Sequence, residues 1–107
     1  MHVTVAESEV LAALWRRGAL SSADLIDEVK LAQRWGDATI KTLLGRLMRK
    51  NMIRSERIDG RQRYRPLIER ADYIDGEIQA LADRLFGGDA AALAAHLARR
   101  AASSTVS

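Results

Sequence analysis

The sequence predicts a mainly α-helical fold with one small β-hairpin, arranged as three helices, the hairpin and two further helices. Three observations predict it. Apolar residues recur at the spacing of one helix face in stretches that polar or glycine-containing segments separate. The dipeptide Asp59-Gly60, a strong hairpin signal, lies between two segments of strand length. The 107 residues, 48% of them apolar, suffice for one domain, or for one domain with a small appendage.

Start and stop signals delimit the first two helices. Thr4-Val5-Ala6-Glu7 is a capping box, which begins helix 1. Gly18 ends this helix, and Ala19-Leu20 has room for a very short strand. Ser21 or Ser22 caps helix 2. The apolar residues of both helices are predicted to enter the core: Val10, Leu11, Leu14, Trp15, Leu25, Ile26 and Val29.

The third helix, predicted over residues 37–50, has two chemically different faces. Asp37 is expected to cap it. One face of the helix is apolar, and the other carries hydroxyl groups and cations. The helix is therefore suited to pack on a core by its apolar face and to offer the polar face to a polyanion. The apolar side is a stripe at helical spacing: Ile40, Leu43, Leu44, Leu47 and Met48.

A hairpin follows the third helix. Residues 53–58 form the first predicted strand, and the Asp59-Gly60 turn is of type I′, which needs positive φ at both residues. Residues 61–65 form the second predicted strand, which ends at Pro66. Alternate residues of a strand share a face, so Tyr64 packs inward and three arginines form a row: Arg61, Arg63 and Arg65. Three helices and a hairpin in this order predict a winged helix-turn-helix.

Two C-terminal helices are predicted, separated by Gly87-Gly88. The first covers residues 69–86, and Asp89 caps the second, which is alanine-rich and ends at Arg100. An apolar stripe after a complete small domain either folds back on that domain or pairs with a second copy, and we favour the dimer. The expected dimer residues are Ile74, Ile78, Leu81, Leu85, Phe86, Leu93 and Leu97. The predicted organisation is a winged-helix domain (1–68), a helical dimerisation region (69–100) and a flexible tail (101–107).

Positive charge is concentrated in the middle of the chain. Residues 38–68 carry nine basic and two acidic side chains, whereas residues 1–37 have a net charge of −2 and residues 69–89 a net charge of −4. A cationic segment of this kind attracts phosphate at long range. The alternative is a basic face that is merely solvated.

Composition excludes several other classes of protein. The absence of cysteine excludes disulfides and thiolate metal sites. No apolar run approaches the roughly 20 residues of a membrane span, and the N-terminus has no signal-peptide pattern, so we expect a cytoplasmic protein with no membrane partner. No side chains are arranged as a nucleophile with a base or as a metal pair. We therefore expect no enzyme, no cofactor and no metal.

The hairpin at residues 53–66 would be the wing of this fold. The outward residues of helix 3 and of the wing are the candidate DNA contacts, because the major groove admits an α-helix. Arg46 suits a bidentate contact to guanine, and the cations at the edges of this face suit phosphates. Gly45 either permits close approach of the backbone to the duplex or is a tolerated weak spot in the helix. The predicted contacts are Thr39, Lys41, Thr42, Gly45, Arg46, Arg49, Lys50, Arg61 and Arg63.

Three motifs resemble the penicillinase repressor (BlaI/MecI/CopY) family. They are Glu-x-x-Val-x-x-x-x-Trp from Glu7, Thr-Ile-x-Thr-Leu-x-x-Arg-Leu from Thr39, and Arg-Tyr-Arg-Pro-Leu from Arg63. The resemblance covers about residues 3–90 and is strongest over the first 68. It implies a bacterial dimeric repressor that binds pseudo-palindromic operators with TACA/TGTA cores. On its motifs, the recognition-helix positions are Thr39, Lys41, Thr42 and Arg46, and the wing positions are Arg61 and Arg63.

The chain departs from this family in two respects. Some members sense copper through a cysteine-rich tail, which is excluded here because the chain has no cysteine. Others are derepressed by proteolysis in the C-terminal region, so the resemblance implies a regulatory protease as a partner, although the match has faded around Ala95-His96-Leu97. The family's last acidic, leucine-containing helix is also missing from the sequence, which leads us to expect weaker dimerisation or a changed dimer geometry.

The sequence thus predicts a sequence-specific DNA-binding repressor, associated with the nucleoid when it is bound to its operator as a homodimer. Two alternatives stay open. The first is a winged helix that contacts an acidic protein, which would show neither a salt-dependent DNA footprint nor an operator preference. The second is a winged-helix regulator that responds to a small ligand.

Overall fold

The computed structural model describes residues 2–104 of the chain. The elements, in chain order, are α1 (Val5–Arg17), α2 (Ser22–Lys30), α3 (Asp37–Arg49), β1 (Ile53–Ile58), β2 (Arg61–Pro66), α4 (Arg70–Leu85) and α5 (Ala90–Ser104). The predicted fold class, mainly helical with one antiparallel hairpin, is confirmed. The chain divides into two compact units between Arg70 and Ala71.

The capping signals of the first two helices act as their sequence indicates. Thr4 Oγ1 accepts a hydrogen bond from the Glu7 N–H at 3.1 Å, and Glu7 Oε1 accepts one from the Thr4 N–H at 2.8 Å. Gly18, with a φ of 82°, follows the last residue of α1. Of the two serines considered for α2, Ser21 is the N-cap, and its hydroxyl accepts from the Asp24 N–H.

The start of α3 differs from the prediction. Gly36 occupies the N-cap position and makes no side-chain capping bond, so the prediction that Asp37 caps this helix is wrong. Asp37 is instead the first helical residue, where its negative charge interacts favourably with the positive end of the helix dipole. Its carboxylate pairs with Lys30 at the end of α2, and this hydrogen bond lowers the pKa of Asp37. Because Asp37 lies one position inside the helix, its side chain does not occupy the capping position.

The first unit is built around one apolar core. Its most deeply buried large apolar side chains come from α1, α2, α3 and β1 and are at most 2% exposed: Val10, Leu11, Leu14, Leu25, Val29, Ile40, Leu47 and Ile53. Trp15 lies at the edge of this core, half-buried, and its Nε1 donates to the Ile68 carbonyl at 3.0 Å. Met48, the last member of the α3 stripe, is 39% exposed, so the buried stripe ends at Leu47.

The hairpin has the predicted turn. Asp59 and Gly60 both have positive φ, at 53° and 77°. The register pairs Glu56 with Arg63. The outer edge of β2 is met by Leu20, whose backbone exchanges two hydrogen bonds with Tyr64. These two hydrogen bonds lie where the very short strand was predicted, and they connect the hairpin to the segment that follows α1.

The second unit contains most of α4 and all of α5. Gly87 and Gly88 have positive φ and connect the two helices, and Asp89 Oδ1 caps α5 by accepting from the Ala92 N–H at 3.1 Å. Within residues 71–104, the buried apolar residues are Ala82 and Leu93. None of the helices in residues 2–104 has the length and apolar character that crossing a bilayer requires.

Two features of the second unit correct the sequence predictions. Leu93 is only 4% exposed within the chain, so its side chain is not available for a dimer interface. The last helix continues to Ser104, four residues beyond the predicted end at Arg100, and those residues are helical where a flexible tail was expected. The rest of the predicted tail, residues 105–107, lies outside the described residues.

Candidate nucleic-acid interface

The solvent face of α3 carries most of the predicted contacts. Packing of the apolar stripe on the core leaves the opposite side of the helix in water. The Thr42 hydroxyl donates to the Ala38 carbonyl at 2.9 Å, which fixes its rotamer and leaves its lone pairs free to accept. Arg46 makes no ion pair with any residue in the range 2–104. The exposed polar side chains of this face are Thr39, Lys41, Thr42, Arg46 and Arg49.

Gly45 lies half-buried on this helix, and its surroundings distinguish the two interpretations of its role. A Cβ built at Gly45 would meet only the Arg49 guanidinium, at 3.5 Å, which is ordinary van der Waals contact with a flexible side chain. The fold therefore has space for alanine at this position. A steric need for glycine does not come from the described residues, so it would have to come from a bound partner.

We expect Gly45→Ala to raise the free energy of unfolding by about 1 kcal/mol, because alanine is the better helix former and no neighbour has to move. Urea unfolding monitored by circular dichroism measures this change. If the variant is more stable but binds DNA less tightly, glycine serves close approach to a duplex. Unchanged DNA binding would make Gly45 a tolerated weak spot.

Lys50 is not part of this face, which corrects the prediction that it contacts DNA. Its Nζ lies 2.6 Å from Glu7 Oε1 and 2.9 Å from the His2 carbonyl oxygen. The helix ends at this point, and Asn51 turns the chain with a φ of 58°. The Lys50 side chain is consequently directed to the start of α1 and is only 25% exposed.

The partner of Lys50 is a fully buried carboxylate, since Glu7 has no exposed surface. Burial alone raises the pKa of Glu7, but the hydrogen bonds from Lys50 and from Thr4 outweigh it, and the pKa lies below its ordinary value. Glu7 Oε1 receives both bonds, whereas Oε2 has no hydrogen-bond partner among the described residues. The ion pair therefore links the start of α1 to the end of α3.

The wing presents its arginines unequally. In the observed register, one face of the hairpin carries Arg54, Glu56, Arg61, Arg63 and Arg65, and we call it the arginine face. Arg61 is exposed, whereas Arg63 is half-buried and its Nη1 lies 3.5 Å from the Ala19 carbonyl oxygen. Arg65 is engaged by Glu56. The predicted row of three cations thus consists of Arg61, which has no ion pair among residues 2–104, and two arginines that already have partners.

One cation near α3 was missed by the sequence reasoning. Arg34 is exposed in the turn before α3 and makes no ion pair within the part of the chain that the structure describes. Its position, two residues before a helix N-cap, was the available signal, because backbone and side chains at a helix N-terminus commonly contact phosphate.

The first unit has a concavity outside the exposed face of α3, which is relevant to the alternative that the protein responds to a small ligand. It has a volume of about 320 Å³ and is lined by Ala12, Trp15, Arg16 and Arg70. None of these residues belongs to α3 or to the hairpin.

Across residues 2–104, no group of three or more histidine and acidic side chains is placed to hold a metal ion.

Comparison with known families gives one match over nearly the whole chain. The family described as Penicillinase repressor matches residues 3–106. The chain is 34% identical over 86 residues to a 16.5 kDa protein of the ptsI 3′ region of Latilactobacillus sakei, over 80% of this chain and 59% of that protein. It is 27% identical over 87 residues to the penicillinase repressor of Bacillus licheniformis, over 81% of this chain and 68% of the repressor.

Among solved structures, the chain is similar to the monomeric form of Bacillus licheniformis BlaI in complex with the blaP half-operator. The TM-score is 0.61 at 27% sequence identity, and the match covers 68% of this chain and 89% of that one. The DNA-binding domain of BlaI gives a TM-score of 0.59 at 28% identity. The likeness to winged-helix domains agrees with the order of helices and hairpin described above.

Proposed function

This chain belongs to the penicillinase repressor family, and from that premise we propose that it is a DNA-binding transcriptional repressor that acts as a homodimer. The family consists of repressors, which agrees with the expectation that the chain is not an enzyme. A repressor of this kind acts in the cytoplasm, where the bacterial nucleoid lies.

The observation that carries the proposal is the exposed face of α3. It combines hydroxyl groups and cations on a helix that a buried apolar stripe fixes to the core. We propose that residues 37–50 lie in the major groove with Arg46 directed at base edges, and that the wing, residues 53–66, contacts the backbone. The similarity to a BlaI chain solved in complex with a half-operator supports DNA binding by this part of the chain.

The proposed dimer region is the second unit. Ile78, Leu85 and Leu97 are 44%, 61% and 53% exposed, and all three lie on the two helices of this unit. A two-fold symmetric dimer would cover these side chains and present two copies of α3 to the two halves of a pseudo-palindrome. Ile74, Leu81 and Phe86, which are half-buried, complete the proposed interface.

Fluorescence anisotropy tests the function directly, with a palindromic TACA/TGTA duplex and a scrambled duplex compared over a salt series. We expect the palindrome to bind at least about 1,000-fold more tightly at physiological salt, with two chains per duplex. Equal and weak binding to both duplexes, lost at physiological salt, would instead support the protein-contact alternative.

Arg46→Ala tests the assigned base contact. We expect a loss of about 1–3 kcal/mol in operator binding and a relaxed preference at one base pair, because a bidentate arginine reads one guanine. Arg34→Ala is the matched control, since it removes an exposed arginine that is proposed to contact only phosphate. It should weaken binding to operator and scrambled DNA equally. If Arg46→Ala behaves in the same way, Arg46 is a phosphate contact.

A further inference from the structure

We propose that Glu56 restrains the affinity of the wing for phosphate by holding two of its arginines in internal ion pairs. This inference rests on the proposed DNA-binding function and assigns to Glu56 a role in setting its strength. The carboxylate lies on the arginine face, where every other charged side chain is a cation. No part of the DNA-binding proposal requires an acidic residue at this position.

The geometry shows how one carboxylate engages two guanidinium groups. Glu56 Oε1 lies 3.1 Å from Arg54 Nη2 and 2.9 Å from Arg65 Nε. Arg54 is two residues away on the same strand, and Arg65 is the diagonal neighbour on β2, so the register brings all three to one face. Glu56 is 24% exposed, and both arginines are about half exposed. A phosphate could therefore reach the arginines from solvent, in competition with the carboxylate.

The competition has a defined electrostatic consequence. Each guanidinium that neutralises a DNA phosphate releases a counterion, and the number released sets the salt dependence of binding. A guanidinium already paired with a carboxylate has part of its charge compensated, and the carboxylate itself repels phosphate. Removal of the Glu56 charge should therefore convert Arg54 and Arg65 into full phosphate contacts.

Glu56→Gln is the test variant, because glutamine keeps the side-chain length and a carbonyl oxygen that accepts from arginine. Asp59→Asn is the matched control: it removes one negative charge from the same hairpin, and asparagine is favoured at this positive-φ turn position. Asp59 is exposed and has no ion pair within residues 2–104. Anisotropy titrations of both variants and the unmodified chain use the scrambled and palindromic duplexes from about 50 to 200 mM salt, where phosphate contacts dominate the change in affinity.

We expect Glu56→Gln to bind scrambled DNA about tenfold more tightly at the low-salt end and to steepen the slope of log K against log salt by about 1–2, as one or two added phosphate contacts require. Asp59→Asn should change the affinity by about twofold or less and leave the slope unchanged, because its charge is solvated. Equal effects of the two substitutions would reduce Glu56 to a contribution to net charge and overturn the proposal. Weaker binding by Glu56→Gln would also overturn it, since Glu56 would then orient the arginines for DNA. If the unmodified chain binds neither duplex, the proposed function itself fails.

Discussion

Lys50→Met is expected to lower the free energy of unfolding by about 3–5 kcal/mol at pH 7, because it leaves a fully buried carboxylate without its counter-charge. Glu7 has no exposed surface, and its Oε2 has no hydrogen-bond partner among the described residues. Without the ammonium group, the Thr4 N–H is the hydrogen-bond donor that remains for the carboxylate among the described residues. Urea unfolding followed by circular dichroism measures the loss.

Two further variants separate the ion pair from other effects of the substitution. Lys41→Met changes the same residue type on the exposed face of α3 and should shift stability by about 0.5 kcal/mol or less. Addition of Glu7→Gln to Lys50→Met removes the buried charge and keeps the capping box, because glutamine also bonds the N-cap N–H. The double variant should recover most of the lost stability. Additive losses would show that the two side chains do not act as a pair.

The pH dependence of the same variants checks the assigned protonation state. The folded-state pKa of Glu7 is lowered, so its contribution to stability is complete above the unfolded value near 4.5 and is lost as pH falls through the folded pKa. In Lys50→Met, burial becomes dominant and raises this pKa, so the variant gains relative stability when the carboxyl is protonated. The difference in unfolding free energy between the two proteins should therefore narrow between pH 7 and pH 4.5. A constant difference would contradict a charged Glu7.

Local signals in the sequence predicted the fold well. The capping box at Thr4 and Glu7, the glycine after α1 and the Asp59-Gly60 turn each depend on residues only a few positions apart. Such features are encoded by short-range geometry. The apolar stripe of α3 also identified the face that packs on the core, apart from Met48 at its exposed end.

The predictions that needed correction depend on residues far apart in the chain. Lys50 looks like one more cation of the recognition helix, but its partner Glu7 is 43 positions away. Leu93 continues an apolar pattern that would serve a dimer interface as well as an internal core, and only its burial in the folded chain assigns it to the core. Glu56 likewise has an evident role only when the strand register places it beside Arg65. Charge and hydropathy patterns identify which residues belong to a surface, whereas tertiary contacts decide which of them are already engaged.

Leu85→Asp is expected to raise the dissociation constant of the proposed dimer by about 100-fold or more. Leu85 is 61% exposed within the chain, so its replacement removes little internal packing. In a two-fold symmetric dimer, one substitution acts on both protomers, and the lost burial of two leucine side chains amounts to about 2–4 kcal/mol before the cost of placing two carboxylates in an apolar interface is added. Sedimentation equilibrium over a range of protein concentrations measures the dissociation constant.

Ala80→Asp is the matched control for this substitution, because it introduces the same charge at an exposed position of α4 that lies off the Ile78–Leu85 stripe. It should remain dimeric, with the helical content of the unmodified chain. Since a dimer gains affinity by binding two half-sites at once, Leu85→Asp should bind the palindrome only about as tightly as a single half-site, while Ala80→Asp should bind it normally. A dimeric Leu85→Asp variant would place the interface elsewhere, and a monomeric variant with full operator affinity would show that operator binding does not depend on two-fold pairing.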